Sequence, residues 1–216
     1  MHPRREALMD HEKRPIQDKE AALENLIIMR DTLSRHGIKM FLGFGTLLGA
    51  VREKDFIPYD DDVDVGIFDT DHEGFIEAVS ELSSKGLVLT QRWENRRFYA
   101  FERKGEFIDV FTAMKTRRFP HDRWDLDTRA SVPARHLDAL EVIDFKGEHF
   151  LIPFGAPMLL RNLYGKNWRI PIQGCPSRFD FRAYVERLVA NPEKFLYFLN
   201  RFKHSIASRA ALRGKE

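Results

Sequence analysis

Cysteine is almost absent from this sequence of 216 residues, in which Cys175 is the only one. An internal disulfide and a cysteine-based zinc site are therefore excluded. No apolar run is long enough to span a bilayer, because the longest, residues 41–51, is short and rich in glycine. Residues 1–20 mix both charge signs without an apolar stretch, unlike a signal peptide. These absences lead us to expect a protein of the reducing cytoplasm.

A strong net charge is also missing, since the formal value is only +2. We therefore expect no nucleic-acid partner bound by bulk electrostatics, and any polyanion site has to be local. The charges are unevenly spread: residues 55–84 hold ten Asp and Glu but no Lys or Arg, whereas residues 91–135 hold eleven Lys and Arg against seven acids. This division suits a cation site beside a phosphate site, or two solvated faces of opposite sign.

With 43% hydrophobic and 31% charged residues, the composition is typical of a soluble globular protein. We expect a flexible arm over residues 1–14 and a single domain over residues 15–216, with C-terminal helices at about 180–212. Hydrophobic periodicity predicts helices over residues 17–36, 46–52, 71–85 and 157–164. Short or alternating apolar runs predict strands over residues 38–42, 62–68, 87–92, 98–103 and 106–111, and a hairpin over residues 142–152. Residues 116–139 are predicted to form an irregular loop, and the whole pattern predicts an α+β fold.

Three aspartates stand out within the predicted strands. Asp62 and Asp64 belong to a segment that alternates acids with apolar residues. Side chains on a strand alternate between faces, so these two carboxylates share a face with Cα atoms roughly 7 Å apart. Asp109 is a lone acid in the apolar run of residues 107–111. We therefore expect Asp109 to be semi-buried and to face a specific partner.

If the two strands are neighbours, the three carboxylates converge. At about 4 Å and an effective dielectric constant of about 20, each like-charge pair costs on the order of 4 kcal/mol. A domain has only roughly 5–15 kcal/mol of net stability, so either some acids are protonated or cations occupy the site. Oxygen ligands favour Mg²⁺ or Mn²⁺ over zinc. Asp60 and Asp61, just after Pro58, fit a surface turn equally well.

A glycine-rich turn precedes these aspartates, with glycines at positions 43, 45 and 49. It allows close backbone approach and offers N–H groups at a helix start, which favours anion binding. Thr46 is placed to cap that helix or to donate to a phosphate oxygen, and Arg52 to bind phosphate bidentately. An ordinary strand-to-helix junction explains the same glycines, but their position shortly before Asp62 favours a phosphate site.

Residues 41–52 and 56–65, together with residues 163–168, resemble the LicD family. The resemblance covers about residues 20–172, and Tyr59 stands where that family usually has Trp. It implies a nucleotidyltransferase-type fold, in which helices flank a mixed β-sheet.

The resemblance also implies a metal-dependent phosphotransferase. Such an enzyme moves a phospho-alcohol, for example phosphocholine, from a CDP-linked or other nucleotide donor to a hydroxyl of a glycan or lipid-linked glycan. The glycan would be of the lipopolysaccharide, capsule or teichoic-acid type. The implied catalytic and metal-binding residues are Asp62, Asp64 and Asp109. Gly45 and Thr46 fall where such enzymes carry the glycine turn, and we expect these two residues, together with Arg52 and Asp61, to bind the substrate.

Two other functions stay open from the sequence. A nucleotidyltransferase that moves NMP from an NTP to a small molecule or protein would use the same carboxylates, and a non-catalytic nucleotide- or metal-binding module would keep the scaffold. Tyr164 and Trp168 fit stacking on a nucleobase, cation–π contact with a quaternary ammonium, or core packing. The basic amphipathic stripe of residues 195–206 fits docking on the domain or peripheral contact with the inner face of the membrane.

Overall fold

The computed structural model describes residues 14–93, 98–117, 121–126 and 130–171. All of them lie in one compact unit, Met1–Cys175. The predicted C-terminal helices and nearly all of the predicted N-terminal arm fall outside the described residues, so the single domain over residues 15–216 stays a prediction. Within the described ranges, no helix combines the length and hydrophobicity that a transmembrane span needs.

One mixed β-sheet of nine strands runs through the described part of the chain. The strands are β1 (Phe41–Leu42), β2 (Val63–Phe68), β3 (Val88–Trp93), β4 (Phe98–Arg103), β5 (Glu106–Thr116), β6 (Arg123–Leu126), β7 (Ala130–Pro133), β8 (Leu140–Phe145) and β9 (Glu148–Pro153). Seven of them follow the order β3-β4-β5-β2-β1-β9-β8, and β6 and β7 continue from β5. Two pairs are parallel, β2 with β5 and β1 with β9, and the other pairs are antiparallel.

The helices in the described residues are α1 (Lys19–Arg35), α2 (Phe44–Arg52), α3 (His72–Ser84), α4 (Arg135–Asp138) and α5 (Ala156–Tyr164). The four predicted helices are confirmed, with ends that shift by at most two residues. Asp18 caps α1, because its side chain accepts the backbone N–H groups of Glu20 and Ala21. Gly37 follows the end of α1 with a φ of +73°, as a C-terminal glycine does.

The hydrophobic core is built from two sets of contacts. Helix α1 packs on α3 and β5, and α2 packs on β2. On β2, the side chains of Val63, Val65 and Ile67 are completely buried. Burial of such a side chain stabilises the fold by about 1.5–3 kcal/mol. This apolar side of the strand therefore decides which face of β2 is left for the aspartates.

The prediction of an irregular loop over residues 116–139 is wrong. β5 continues to Thr116, β6 and β7 form a hairpin beside it, and α4 follows. The strands are only four residues long and lie among Arg, Asp and Pro, so their periodicity is weak. Tertiary packing overrides the local signal, since the Trp124 ring packs on Phe68 with centroids 5.0 Å apart. The strand predicted over residues 38–42 is also shorter, because only Phe41–Leu42 pairs.

His136 joins α4 to the end of β9. Its ring is almost fully buried, and Nδ1 lies 2.7 Å from the backbone oxygen of Phe154. A carbonyl oxygen only accepts, so Nδ1 carries the hydrogen and donates it. Nε2 is also buried, with no hydrogen-bond partner among the residues that the structure describes. Burial lowers the pKa of His136 below its usual 6.5, because the charged imidazolium would lose its hydration.

We expect His136 to make the free energy of unfolding depend on pH. Its pKa is lower in the folded than in the unfolded chain, so the unfolded chain takes up the proton first as pH falls. Stability is therefore intact above about pH 6.5 and declines below it, toward the lowered folded pKa. In His136→Asn the amide can still donate to Phe154, and the decline between pH 7 and 5.5 should be smaller. Urea unfolding at both pH values measures it, with exposed His149→Asn as the control; equal declines in all three proteins would contradict the role of His136.

Candidate metal centre

The parallel pairing of β2 with β5 brings the predicted carboxylates together. Its register sets Asp64 directly opposite Asp109, and Asp62 immediately precedes β2. Each of the three side chains offers an oxygen within 4.8 Å of the other two. All three are buried, with at most 7% of each residue exposed. The structure thus places Asp62, Asp64 and Asp109 in one cluster, as the alternation predicts.

The opposite face of the two strands explains why the register holds. Ile108 and Val110 flank Asp109 and are completely buried, as are the apolar neighbours of Asp64 on β2. A slip of one residue on either strand would exchange the acids with these apolar side chains. The geometry of the cluster is therefore set by hydrophobic burial behind it.

A second group of acids overlaps the first. Asp60, Asp61 and Asp62 also offer oxygens within 4.8 Å of one another, and Asp62 belongs to both groups. Asp60 and Asp61 are half-buried. The expected turn is present too, since the Asp60 N–H donates to the Ile57 carbonyl at 3.1 Å. A surface turn and a position beside the carboxylate cluster are therefore compatible for Asp60 and Asp61, because the turn itself brings these two acids close to Asp62.

The glycine turn binds Asp64 through backbone hydrogen bonds. The Gly45 N–H donates to Asp64 Oδ2 at 3.0 Å, and the Gly43 N–H donates to the Asp64 backbone oxygen at the same distance. The Asp64 N–H in turn donates to Thr46 Oγ1 at 2.8 Å. Hydrogen bonds to a charged carboxylate are strong and hold its orientation. The first turn of α2 therefore positions this aspartate.

Thr46 does not cap α2, so this part of the prediction is wrong. The helix begins at Phe44 with Gly43 as its N-cap, two residues earlier than expected. Thr46 is consequently inside the helix, buried and bound to β2. Contacts from Gly45 and Thr46 to a phosphate stay predictions.

Arg52 lies near the other end of α2, about 10 Å along the helix axis from Gly45. Its Nε donates to Glu53 Oε1 at 2.7 Å and its Nη1 to the Trp168 backbone oxygen at 3.0 Å. The side chain is only 8% exposed. In this position Arg52 connects α2 to the segment that follows α5, and phosphate binding by Arg52 stays a prediction. Sequence reasoning missed this connection, because the two residues are 116 positions apart.

Trp168 itself is buried at 4% exposure and belongs to the hydrophobic core. The Arg169 guanidinium lies 4.2 Å from the centroid of its ring. Tyr164 is partly buried and packs against the same core. The core-packing interpretation is therefore confirmed for Trp168.

The loop that carries the acids is also held at its base by Asp55. This carboxylate binds Lys19 Nζ at 2.6 Å and Lys146 Nζ at 2.8 Å. Burial opposes its ionisation, but the hydrogen bonds from Lys146 and Lys19 outweigh that effect and lower the pKa of Asp55 to about 2. Asp55 thus links α1 to the β8–β9 hairpin, a role that no local pattern indicates.

A third anchor reaches the loop from the segment before α1. The Ile16 N–H donates to the Asp60 backbone oxygen at 2.8 Å. The next two backbone N–H groups, of Gln17 and Asp18, donate to Glu106 Oε1 at 3.1 and 2.8 Å. Glu106 is buried at the start of β5. The strand that carries Asp109 is therefore tied to the acidic loop through this segment.

The chain is similar to known proteins in both sequence and fold. The family described as LicD/FKTN/FKRP, nucleotidyltransferase domain, matches residues 37–154, more than half of the chain. This range contains the glycine turn and all three clustered aspartates. The solution structure of the antibiotic-resistance factor ANT(2'')-Ia has a TM-score of 0.50 at 13% identity, covering 92% of this chain and 100% of that one. That likeness concerns the fold alone, and with the family match it confirms the nucleotidyltransferase-type fold.

Two named relatives share parts of the sequence. Ribitol-5-phosphate transferase FKTN of Homo sapiens is 28% identical over 178 residues, which cover 77% of this chain and 37% of that protein. Lipopolysaccharide cholinephosphotransferase LicD of Haemophilus influenzae is 46% identical over 43 residues, which cover 20% of this chain and 16% of that protein. The chain therefore spans little more than a third of the length of FKTN.

We expect Gly45→Ala to disturb the acidic loop. A Cβ atom at position 45 would lie 2.1 Å from Asp60 Oδ2, so the carboxylate or the turn has to move. The crowded atoms belong to the end of the Asp60 side chain, which can turn aside, so we expect a loss near the lower end of the about 1–3 kcal/mol typical of overpacking.

Gly74→Ala in α3 is the matched control, because its Cβ would meet Ile38 at an ordinary 3.6 Å. Alanine is also the better helix former, by about 1 kcal/mol. Urea unfolding of both variants measures the difference, and equal stability would contradict the close approach of Gly45 to Asp60.

Proposed function

This chain belongs to the LicD/FKTN/FKRP nucleotidyltransferase-domain family, and on that premise we propose that it is a metal-dependent transferase of phosphorus-containing groups. The proposed reaction moves a phospho-alcohol from a CDP-linked donor to a glycan hydroxyl. The observation that carries this proposal is the convergence of three buried carboxylates on neighbouring strands. The names of FKTN and LicD, a ribitol-5-phosphate transferase and a cholinephosphotransferase, support the type of group transferred.

The donor set fits a hard divalent cation. Every ligand atom offered by Asp62, Asp64 and Asp109 is a carboxylate oxygen. Oxygen-only sites suit Mg²⁺ or Mn²⁺, and a cation offsets the repulsion that three buried acids otherwise impose. A bound divalent ion would neutralise charge on the donor diphosphate and lower the pKa of the attacking hydroxyl.

The residues of the chain supply orientation. Asp64 is held by the Gly45 N–H, and Asp109 is fixed by its place in the middle of a strand paired on both sides. We propose that Asp62 and Asp64 hold the metal, and that Asp109 completes its coordination or accepts a hydrogen bond from the attacking hydroxyl. That oxygen forms a bond to the phosphorus carrying the alcohol, the bond from this phosphorus to the CMP oxygen breaks, and the hydroxyl proton is released. Catalysis of this kind depends on positioning and electrostatics.

Nucleotidyl transfer is the second candidate, and the description of the family as a nucleotidyltransferase domain favours it. The same carboxylates would then assist attack on the phosphorus of the nucleotide itself, with pyrophosphate as the leaving group. A non-catalytic metal-binding module would use the same three acids, and it is less well supported because the named relatives are transferases. For the first candidate we propose a glycan or lipid-linked glycan acceptor at the cytoplasmic face of the membrane.

Product analysis separates the two enzymatic candidates. We expect the protein with Mg²⁺ or Mn²⁺ to release CMP from CDP-choline or another CDP-alcohol, and not to release pyrophosphate from CTP. Chromatography of labelled donors measures both products in one experiment, with Asp109→Asn as the inactive control. Pyrophosphate as the sole product would replace the first candidate by the second.

We expect Asp62→Asn to abolish turnover without harming the metal-free fold. Removing one charge from the cluster relieves repulsion, since neighbouring carboxylates oppose one another's ionisation. A gain of about 1 kcal/mol raises the melting temperature of a chain this size by roughly 2–4 °C. Calorimetric melting in EDTA checks this. A large drop in melting temperature would show that Asp62 is needed for folding and would contradict the repulsion argument.

A further inference from the structure

Phe44 has an unusual backbone conformation in the middle of the glycine turn. Its φ is +31°, although it carries a full side chain and begins α2. Residues other than glycine seldom adopt positive φ, because Cβ then crowds the backbone. Such strain persists only where the surroundings enforce it, and it clusters at functional sites.

The ring of Phe44 shows what enforces this conformation. It is buried and packs edge-on against Phe111, with centroids 4.8 Å apart. Phe111 lies on β5 two residues beyond Asp109, and therefore on the same face of the sheet. It pairs with Gly66, where a Cβ atom would come within 2.8 Å of the Phe111 ring. The Phe111 ring therefore packs closely over Gly66, and it holds the Phe44 ring beside the carboxylate cluster.

The conformation of Phe44 affects the backbone N–H groups of its two neighbours, Gly43 and Gly45. The Gly43 N–H binds the backbone oxygen of Asp64, and the Gly45 N–H binds its carboxylate. Four backbone angles lie between these two N–H groups, namely φ and ψ of Gly43 and of Phe44. Gly43 is extended, with φ −122° and ψ 173°, so the unusual φ of Phe44 is what turns the Gly45 N–H toward Asp64. A change to negative φ would rotate the Gly45 N–H away from Asp64 Oδ2.

We propose that Phe44 is a positioning residue for Asp64. Its positive φ, enforced by packing on Phe111, aims the Gly45 N–H at the carboxylate and so orients this acid for the cation. The orientation of Asp64 toward a cation rests on the function proposed above, whereas the direction of the Gly45 N–H does not. The two parts therefore need separate measurements.

A pair of substitutions isolates the backbone angle from the ring. Phe44→Gly and Phe44→Ala both remove the ring, but only glycine adopts positive φ without strain. We expect Gly45 amide exchange, measured by NMR at neutral pH, to be at most about threefold faster than wild type in Phe44→Gly. In Phe44→Ala it should be at least about tenfold faster. The Glu53 N–H, which donates to the Gly49 carbonyl at the other end of α2, is the internal control and should change equally in both variants.

Titration with Mn²⁺ alone measures the second part. We expect Phe44→Gly to bind within about threefold of wild type, Phe44→Ala about tenfold more weakly, and Asp62→Asn not measurably. Phe101→Leu is the matched control for loss of a buried ring, because Phe101 is fully buried on β4 and packs on Phe75 instead. It should retain wild-type affinity.

Equal Gly45 exchange in Phe44→Gly and Phe44→Ala would overturn the proposal, whether both are slow or both are fast. A wild-type protein that does not bind Mn²⁺ would overturn the metal site and the second part, while the exchange result still decides the first. If Phe44→Gly and Phe44→Ala differ in Gly45 exchange but bind Mn²⁺ with equal affinity, Phe44 determines only the conformation of the turn. Its role in orienting Asp64 for a cation would then be overturned.

Discussion

The burial of Asp62, Asp64 and Asp109 in one cluster is the constraint on which the arrangement of the surrounding elements depends. The three side chains are buried and offer oxygens within 4.8 Å of one another. At an effective dielectric constant of about 20, a pair at that separation costs several kcal/mol, on the order of 4. The apolar side chains on the opposite faces of β2 and β5 hold the register that keeps these acids together, and protonation or a bound cation relieves the repulsion.

The elements around the cluster then restrict each acid separately. The first turn of α2 holds Asp64 through Gly45 and Thr46, and the segment before α1 holds the Asp60 backbone. Asp55 fixes the start of the acidic loop through two lysines. These supports come from α1, α2 and the β8–β9 hairpin, so the site depends on most of the described fold. Such support is what a site based on positioning requires.

Prediction from sequence succeeded where local periodicity carries the information. The alternation around Asp62 and Asp64 identified their shared face, and the lone acid at Asp109 identified its burial. It failed for residues 116–139, because strands of four residues among charged neighbours leave little periodic signal. The prediction also failed for the N-cap of α2, because Gly43 and Gly45 give no clear signal of where the helix begins. The contact between Arg52 and Trp168 could not be predicted, because the two residues are distant in the chain, and phosphate binding by Arg52 stays a prediction.

The sequence by itself predicted a site for a hard cation, because clustered carboxylates in a chain with one cysteine favour Mg²⁺ or Mn²⁺ over zinc. It also determined the family, through residues that lie close together along the chain. Only the tertiary structure decided which acids meet and what orients them. The pairing of Asp64 with Asp109 depends on the register of strands that α3, β3 and β4 separate in the chain, and the bond from Gly45 to Asp64 depends on how α2 packs on β2. Register is a property of the whole sheet, since it follows from the burial of many side chains at once.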